Sequence, residues 1–353
     1  MSTIVIRVDA SAQIGIGHVM RCLTLADMLT QSLSCHIIFI CADHIPHELA
    51  AMIHARTYTL HLISKSTAQN RAWEDDADQT LQYISQYAVD WLIVDHYNLD
   101  EHWEKKMRNN VNHILVIDDL ANRPHDCQAL LDQNLHPEMN TRYMNKIPPD
   151  CRAFLGPTYI LLRPEFQTYR KQRKKIEHCH TILINFGGSD PTHETEKLLH
   201  LLIKLPNLTQ QLYFHIVAGP ANTRREQIRQ LCSKLPSAVY YEQADMANLL
   251  LHTDLAIGAG GITMWERCFM GVPSGVIIVA DNQLESVHEA ERLQFIWNLG
   301  KSDTLNEQYL MNWLEHIVQN IEELRKKQQQ CIEYFSYYSG YIHPVVEYIK
   351  GEL

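Results

Sequence analysis

The 353-residue chain lacks any apolar run as long as the roughly 18 residues that a membrane-crossing helix needs. Its first ten residues, MSTIVIRVDA, contain neither a basic segment nor a small-residue cleavage site, so no secretory leader is expected. An apolar segment typical of a first strand begins almost at once. These absences predict a cytoplasmic protein without stable membrane insertion.

Positive charge is also scarce. The chain has 31 Lys and Arg residues against 41 Asp and Glu residues, which gives a formal net charge of −10. A broad nucleic-acid-binding or membrane-binding surface needs an excess of basic residues. The composition therefore predicts no nucleic-acid partner. The composition does not exclude a single anionic ligand held by backbone N–H groups. It does not indicate the oligomeric state.

No C-x-x-C pair occurs among the nine cysteines, and their spacing is irregular. This pattern indicates free thiols rather than a disulfide framework. The tract His178-Cys179-His180 mixes metal-ligating residue types, but it opens a predicted strand, in which successive side chains point to opposite faces. We therefore predict no metal site.

The chain does contain a regular alternation of short apolar segments with amphipathic helical ones. This alternation predicts mostly parallel, doubly wound sheets, and the length favours two domains. We predict an α/β chain of two Rossmann-like domains with a ligand cleft between them. The predicted strands are 3–8, 36–42, 58–63, 90–97, 113–120 and 129–134 in the first domain, and 181–188, 211–219, 237–243, 254–261 and 274–280 in the second.

A polar, basic stretch, FQTYRKQRKKIEH at 166–178, separates the two series of strands. We predict an N-terminal domain at 1–165 and a second domain at 179–320. The stretch between them is predicted to be a solvated helix or a linker, and it is a hinge candidate. Further helices are predicted within 321–353.

A glycine-rich turn, G-I-G-H, follows the first predicted strand and ends in Gly17 and His18, with Arg21 one helical turn further on. Glycines permit a tight bend and close approach of a ligand, and a helix start offers unpaired N–H groups. The helix start disfavours an imidazolium, so His18 is expected to be neutral near pH 7. It is either a candidate general base or a helix-start residue satisfied by its neighbours.

The same turn lacks the third glycine of the dinucleotide-binding fingerprint G-x-G-x-x-G, because Met20 stands in its place. Asp43, after the second predicted strand, could mimic the ribose-binding acid of that fingerprint. Acids after strands are common, however, so no dinucleotide cofactor is predicted.

Acidic residues close two neighbouring predicted strands. Asp95 and Tyr97 belong to the tetrapeptide D-H-Y-N, which offers a carboxylate, an imidazole and a phenol together, or else an ordinary capped strand end. Asp118 and Asp119 close the next strand. We expect a loop role for Asp119 and leave the role of Asp118 open.

Three glycines within four residues separate a strand from a helix in GAGGITMWE, which predicts a diphosphate cradle at Gly260 and Gly261. Thr263 can add a hydroxyl group. A carboxylate would repel a phosphate, so Glu266 is better suited to bonding the two sugar hydroxyls of a nucleoside. The alternative is a glycine-rich loop with a capping glutamate.

Two further strand ends carry weaker signals. A glycine pair ends at Gly188, where Asp190 is predicted to cap the next helix and Pro191 to lie in its first turn. Near the start of a later helix, Asn282 and Gln283 carry amides suited to sugar hydroxyls or acyl groups, or to plain capping.

Together these motifs resemble a known family. R-x-D-x-S-x-x-I-G-x-G-H-x-x-R-C-x-x-L-A runs from Arg7 to Ala26, and DHYNLD, VIDDLANRPHDCQALLDQN, LLRPEF, INFGGSDP and GAGGITMWERCFMGVPS follow in order. Over about residues 3–300, the chain resembles the UDP-sugar hydrolases of pseudaminic acid biosynthesis. The resemblance implies the glycosyltransferase-B architecture, in which a terminal helix often packs back on the first domain.

The resemblance also implies metal-independent hydrolysis of a UDP-linked 2,4-diacetamido-2,4,6-trideoxy sugar, with inversion at the anomeric carbon and no cofactor. It implies that His18 is the base, that Tyr97 lies beside the sugar, and that UDP is bound by Gly260, Gly261, Ile262, Thr263 and Glu266. We add Asp95 to the candidate catalytic residues. The remaining candidate substrate-binding residues are Gly17, Arg21, Gly188, Asn282 and Gln283.

Two other functions remain open from the sequence. A glycosyltransferase would pass the sugar to an acceptor hydroxyl instead of water, and a membrane acceptor would favour an apolar or basic patch, which the first domain does not display. A non-catalytic nucleotide-sugar-binding module would not need a base at His18.

Overall fold

The structure, a computed structural model, describes residues 1–10, 16–64, 72–219, 221–336 and 342–353. Gly15 of the first glycine turn lies outside the described residues. The chain divides into two compact units: Met1–Leu161 and Gly340–Leu353 form the first, and Leu162–Ser339 forms the second. Within the described part of the chain, no helix combines the length and the apolar character needed to cross a bilayer.

The first unit is built on a seven-stranded sheet in which every neighbouring pair is parallel. Its strands are β1 (Ser2–Val8), β2 (Cys35–Ala42), β3 (Thr59–Ile63), β4 (Val89–Asp95), β5 (Val111–Ile117), β6 (Ala129–Asp132) and β7 (Arg152–Leu155). Its helices are α1 (Gly17–Ser32), α2 (His47–Ala55), α3 (Ala72–Ile84), α4 (Glu101–Met107) and, from the C-terminus, the helix Pro344–Gly351.

The strand order in this sheet is β3-β2-β1-β4-β5-β6-β7. The chain moves outward from β1 to β3 and then returns to place β4 beside β1. The central strands are almost continuously apolar because helices cover both faces of the sheet. The order reverses between β1 and β4, and ligands of open α/β sheets bind beyond the carboxyl ends of strands at such a point.

The second unit contains a six-stranded parallel sheet, ordered β10-β9-β8-β11-β12-β13. Its strands are β8 (Thr181–Asn185), β9 (Tyr213–Val217), β10 (Ala238–Tyr241), β11 (Leu255–Ala259), β12 (Ser274–Ile278) and β13 (Ile296–Lys301). Its helices are α5 (Pro164–Arg170), α6 (Glu194–Ile203), α7 (Pro206–Thr209), α8 (Arg225–Cys232), α9 (Met246–Leu251), α10 (Ile262–Phe269), α11 (Leu284–Arg292), α12 (Glu307–Ile317) and α13 (Ile321–Tyr334). The order here reverses between β8 and β11.

These two sheets confirm the predicted α/β class, with two exceptions in detail. β7 and β13 were not predicted, and each is the outermost strand of its sheet. Pro191 does not lie in the first turn of α6, which begins at Glu194. Asp190 still caps that helix, because its carboxylate accepts hydrogen bonds from the backbone N–H groups of Glu194 and Thr195, both at 2.9 Å.

The basic stretch at 166–178 contributes to the second unit. Phe166 and Ile176 are buried in it. The guanidinium of Arg173 donates to the backbone carbonyls of Leu251 at 2.7 Å and Thr253 at 2.5 Å. Apolar anchors and an arginine bonded to backbone therefore tie this stretch to α9 and the segment after it.

The C-terminal helix Pro344–Gly351, α14, packs against α1 in the first unit. Val345, Val346 and Ile349 are fully buried there. The ring of Tyr348 lies 5.9 Å from that of Trp91 in β4, measured between centroids. The chain thus returns to the first unit after completing the second.

His343 lies just before α14 and is buried in the first unit. Burial lowers the pKa of this residue from 6.5 to about 4. Nε2 donates to the carbonyl of Tyr159 at 3.1 Å, and Nδ1 accepts from the N–H of Val345 at 3.3 Å. A second proton would have to sit on Nδ1, against an N–H group, so the folded state favours the neutral ring.

We therefore expect a stability contribution from His343 that is complete above about pH 6.5 and falls as the pH drops towards 4. The loss should approach about 3 kcal/mol, at 1.36 kcal/mol for each pKa unit. Urea unfolding at pH 7 and pH 5 would measure it in wild type and in His343→Asn. The variant should lose this part of the pH dependence, and the exposed control His102→Asn should keep it. Parallel pH dependence in all three proteins would contradict the prediction.

Candidate functional site

The first cluster of candidate residues lies at the reversal point of the first sheet. α1 begins at Gly17 and places His18 and Arg21 one helical turn apart on one face. Asp95 is the last residue of β4, the neighbouring strand. Because parallel strands end at the same edge, these three side chains meet, and each is at most 6% exposed.

Asp95 accepts hydrogen bonds from both of its neighbours. Its Oδ1 lies 2.5 Å from Nδ1 of His18, and its two oxygens accept from Nε and Nη2 of Arg21, each at 2.6 Å. Burial alone would raise the pKa of Asp95, but the charges and hydrogen bonds of Arg21 and His18 outweigh it and hold the pKa far below its ordinary value.

An ionised Asp95 can only accept, so we assign the proton of the neutral His18 ring to Nδ1. Nε2 then keeps its lone pair, as in other histidines oriented by a carboxylate. Nη2 of Arg21 also lies 3.1 Å from Nδ1, but the carboxylate is the stronger partner of both groups. In this tautomer the lone pair on Nε2 can take up a proton.

Tyr97 and Asp119 extend this cluster. The Tyr97 and His18 rings meet edge to face, with centroids 4.6 Å apart and an interplanar angle of 89°. Oδ2 of Asp119 accepts from the Tyr97 hydroxyl at 3.4 Å and from Nη1 of Arg21 at 3.2 Å. The loop role expected for Asp119 is therefore wrong: its side chain faces the cluster, and Arg21 bridges two carboxylates.

Asp118 has the structural role instead. Its carboxylate accepts from the N–H of Ala121 at 2.8 Å, from Arg123 at 2.9 Å and from the hydroxyl of Tyr143 at 3.0 Å. These bonds fix the loop after β5. Fixing that loop places the side chain of the next residue, Asp119.

A second buried network of charged residues is centred on Arg7. Arg7 pairs with Asp9 and, at 2.6 Å, with Asp76 of α3. Nε2 of His96 lies 3.1 Å from Asp9. Burial opposes ionisation of Asp9, but the hydrogen bond of His96 and the charge of Arg7 lower its pKa well below the usual range. Arg7 and His96 therefore both have Asp9 as a partner in the folded protein.

The second cluster lies at the reversal point of the second sheet, where β8 and β11 are neighbours. Gly187 adopts a φ of +85°, which favours glycine. A Cβ on Gly219, after β9, would lie 2.4 Å from the Cα of Gly188, and a Cβ on Gly258 would lie 2.2 Å from the carbonyl oxygen of Asn185. Glycine is therefore required for the backbone to pack this closely.

Arg267, a residue of α10, stabilises the glycine loop through hydrogen bonds. It donates to the carbonyl of Ala259 at 2.8 Å, to Ser274 at 3.2 Å and to the hydroxyl of Thr263 at 3.3 Å. Burial lowers the pKa of Arg267 to about 10. We did not predict this residue, although an arginine four positions after Thr263, on a helix side that is otherwise apolar, was a usable signal.

The carboxylate of Glu266 and the amide of Gln283 have different surroundings. Burial raises the pKa of Glu266, and the positive charges of Arg163 and Arg267 oppose that rise. Oε1 of Gln283 accepts from the N–H groups of Gly260 and Val279, both at 3.2 Å. The side-chain oxygen of Gln283 therefore braces the loop rather than facing a sugar.

The remaining candidates surround this loop. Ile262 and Thr263 form the first turn of α10 and are half-buried. Asn282 is exposed in the 3₁₀ turn Asp281–Gln283 before α11. Arg163 pairs with Glu165 at 3.1 Å. Gly188 follows β8, and Gly260 and Gly261 follow β11. Because these two strands are parallel neighbours, the three glycines lie at the same edge of the second sheet.

Gly260 and Gly261 should respond differently to alanine. A Cβ on Gly260 would lie 2.3 Å from a methyl group of Val287, whereas a Cβ on Gly261 would meet nothing closer than 3.8 Å. We expect Gly260→Ala to lower the free energy of unfolding by about 1–3 kcal/mol through overpacking. Gly261→Ala should leave stability nearly unchanged and weaken UDP binding if the loop holds the diphosphate. Thermal unfolding and calorimetric UDP titration would measure both effects, and unchanged UDP affinity in Gly261→Ala would contradict the second.

The search against family models found no match for the sequence. Solved structures align over nearly the whole chain. MurG of Acinetobacter baumannii shares 14% identity with a TM-score of 0.65, covering 99% of this chain and 100% of that one. The kitacinnamycin glycotransferase shares 14% identity with a TM-score of 0.65, covering 100% and 99%. The chain has the glycosyltransferase-B fold.

The same fold extends to another type of enzyme. The UDP-GlcNAc 2-epimerase of Neisseria meningitidis, solved with UDP-GlcNAc bound, aligns with a TM-score of 0.63 at 11% identity, covering 100% of this chain and 99% of that one. At this level of identity the likeness concerns the fold alone.

Sequence relatives are distant. The chain is 27% identical to an uncharacterized protein of Methanocaldococcus jannaschii over 80% of its own length and 56% of that protein. It is 26% identical to the spore coat polysaccharide biosynthesis protein SpsG of Bacillus subtilis, over 78% and 77%. It is 29% identical to the UDP-2,4-diacetamido-2,4,6-trideoxy-beta-L-altropyranose hydrolase of Campylobacter jejuni, over 53% and 61%. The chain thus spans less than two thirds of the archaeal protein and of the hydrolase, and it is a distant homologue of both.

Proposed function

We propose that the protein hydrolyses a UDP-linked 2,4-diacetamido-2,4,6-trideoxy sugar, releasing UDP and the free sugar for pseudaminic acid biosynthesis. The observation that carries this proposal is the buried His18–Asp95 pair, which leaves one imidazole nitrogen able to accept a proton beside Tyr97. The distant homology to the Campylobacter hydrolase supports the substrate class.

In the proposed reaction, a water molecule attacks the anomeric carbon on the face opposite UDP. Its proton passes to Nε2 of His18, and Asp95 stabilises the imidazolium that forms. The bond between the anomeric carbon and the phosphate oxygen breaks, and its electron pair leaves with UDP. Attack from the opposite face inverts the anomeric configuration.

The second unit is proposed to bind the leaving group. Gly261 and the start of α10 are proposed to present the backbone N–H groups that favour a diphosphate and stabilise its developing charge, since the N–H of Gly260 already donates to Gln283. Glu266, one turn into the helix, is proposed to accept hydrogen bonds from the ribose hydroxyls. This division of roles requires no metal.

The decisive experiment is UDP release by the purified protein in ¹⁸O-water, with EDTA and without an acceptor, followed by mass spectrometry of both products. Label in the sugar alone would support metal-free hydrolysis at the anomeric carbon. Label in UDP would place the attack at phosphorus and remove the role of His18. UDP release only after adding an acceptor would favour a glycosyltransferase, and binding without release would favour a nucleotide-sugar-binding module.

A further inference from the structure

We infer that Asp132 is a neutral carboxylic acid that donates its proton to the hydroxyl oxygen of Tyr143, and that this hydrogen bond helps to position Asp119 in the His18 cluster. Asp132 is a positioning residue in this arrangement, because it acts through Tyr143 and Asp118 and not on the substrate. The proton on Asp132 follows from the geometry of the first unit alone. Only its effect on turnover rests on the proposed function.

The hydroxyl group of Tyr143 lies between two buried carboxyl groups. Its oxygen is 3.0 Å from Oδ2 of Asp118 and 3.1 Å from Oδ2 of Asp132, and all three residues are at most 3% exposed. The hydroxyl also lies 3.2 Å from the backbone carbonyl of Asp118. A tyrosine hydroxyl has a single proton, so it cannot donate to both carboxyl groups. The second contact needs another proton, which one of the two acids must carry.

Asp118 is the acid that stays ionised. Its carboxylate also accepts from Nη1 of Arg123 at 2.9 Å and from the N–H of Ala121 at 2.8 Å. Burial opposes this ionisation, but the charge of Arg123 and the hydrogen bonds outweigh it, so the pKa of Asp118 lies below its usual value. Tyr143 therefore donates to Asp118, and its oxygen is left to accept from Asp132.

The proton of Asp132 belongs on Oδ2. Oδ1 already accepts from the backbone N–H of Asn134 at 3.0 Å. Nη1 of Arg142 lies 3.5 Å from Oδ2, but within the described part of the chain neither Nη1 nor Nε of Arg142 makes a hydrogen bond. Nη2 of the same guanidinium donates instead to the backbone carbonyl of Asp119 at 3.2 Å. An ionised Oδ2 would thus face the phenolic oxygen without a donor.

Charged and titratable groups face Asp132 from two segments of the first unit. Arg142 and, at 3.9 Å, the imidazole of His136 lie on the loop after β6. The carboxylates of Asp118 and Asp119 lie at the end of β5. Burial raises the pKa of Asp132 to about 7, and the charge of Arg142 opposes that rise. The negative charges of Asp119 and Asp118 add to it.

The acid is connected to the candidate active site through the loop after β5. Asp118 fixes that loop, and the next residue, Asp119, contacts Nη1 of Arg21 at 3.2 Å. Loss of the proton from Asp132 would add a third negative charge beside Asp118 and Asp119. We expect the repulsion to displace Asp119, and with it the guanidinium that holds Asp95.

The direct test is infrared spectroscopy of the full-length protein. The C=O stretch of a protonated carboxyl group is separate from the bands of ionised carboxylates and of the backbone, and ordinary Asp and Glu side chains are ionised at pH 6. We expect wild type to show such a band at pH 6 that is absent from Asp132→Asn and that fades in wild type as the pH rises to 9. Identical spectra of the two proteins at pH 6 would overturn the inference.

Urea unfolding measures the same proton independently. The pKa of Asp132 is higher in the folded protein than the value of about 3.9 in the unfolded chain, so its stabilisation is complete below about pH 4 and is lost as the pH rises through 7. Between pH 5 and pH 8, the unfolding equilibrium constant of wild type should rise about 10²-fold relative to that of Asp132→Asn. The exposed control Asp78→Asn should show no such change relative to wild type.

Turnover tests the positioning role. The amide of Asp132→Asn can donate to Tyr143 and accept from Asn134, as the neutral acid does, whereas Asp132→Ala leaves the phenolic oxygen without its donor. We expect Asp132→Ala to lower kcat for UDP release at pH 7 by about tenfold and Asp132→Asn to recover most of that loss. Above pH 7, kcat of wild type should decline as Asp132 ionises, and kcat of Asp132→Asn should not.

The outcomes separate the two proposals. If Asp132→Asn were less stable than wild type at pH 8, the acid would be a charged partner of Arg142 and the inference would be wrong. Unchanged kcat in Asp132→Ala, or equal losses in the alanine and asparagine variants, would remove the positioning role. Failure of wild type to release UDP would instead overturn the proposed function, and the infrared band and the unfolding measurements would still decide whether Asp132 carries the proton.

Discussion

Replacing His18 with leucine is expected to lower kcat for UDP-sugar hydrolysis by about 10²–10⁴-fold, the usual contribution of a general base. Leucine has a similar size but cannot accept a proton. The groups proposed to bind UDP lie in the second unit, in the loop before α10, so the dissociation constant for UDP should remain within about twofold of wild type. Stopped-time UDP release and calorimetric titration would measure the two quantities on the same preparation.

The matched control is His54→Leu, at an exposed position in α2 of the same unit. It should retain wild-type turnover. A His18→Leu variant with wild-type turnover would remove His18 as the base. A parallel loss of UDP affinity would indicate that the substitution disturbed more than proton transfer.

Replacing Asp95 with asparagine should cause the largest loss of stability, about 3–5 kcal/mol, because it leaves the buried charge of Arg21 without its main partner. Asp119 still contacts that guanidinium at 3.2 Å, which favours the lower end of the range. Urea unfolding at pH 7 would measure the loss. The control Asp78→Asn removes a carboxylate whose side chain is 60% exposed, and it should cost less than about 1 kcal/mol.

The pH dependence of this loss has a definite sign. The pKa of Asp95 is lower in the folded protein than the value of about 3.9 expected in the unfolded chain. Its stabilisation is therefore present above about pH 4 and declines as the pH falls below that value towards the folded pKa. The difference between wild type and Asp95→Asn should narrow in acid. Equal losses in Asp95→Asn and Asp78→Asn at pH 7 would contradict the assignment.

The central strands of both sheets could be predicted because a strand that is buried on both faces must be mostly apolar. In β1 and β4 the apolar runs Ile4–Ile6 and Trp91–Val94 mark the centre of the strand. The turns at G-I-G-H and GAGGITMWE combine glycine with a change of hydrophobic period, which is a local signal. The edge strands β7 and β13 were missed because neither has a continuous apolar run: β7 begins with Arg152, and Asn298 and Gly300 interrupt β13.

The pairing of side chains was harder to predict because it depends on which strands become neighbours. Asp118 and Asp119 are adjacent in sequence and chemically identical, yet one fixes a loop and the other faces Arg21. Only the direction of each side chain at the end of β5 separates them. Gln283 likewise carries an amide suited to a sugar, but two backbone N–H groups already occupy its oxygen.

The return of the chain to the first unit through α14 has a consequence for dissecting the protein. A gene fragment that ends at Leu161 would omit the helix that covers part of α1, and it would expose the apolar surface that Val345, Val346 and Ile349 bury. Such a fragment is expected to aggregate. Fusing residues 342–353 behind Leu161 through a flexible tether would restore the missing helix in one continuous polypeptide. That fusion is the appropriate starting point for studying the His18 cluster without the second unit.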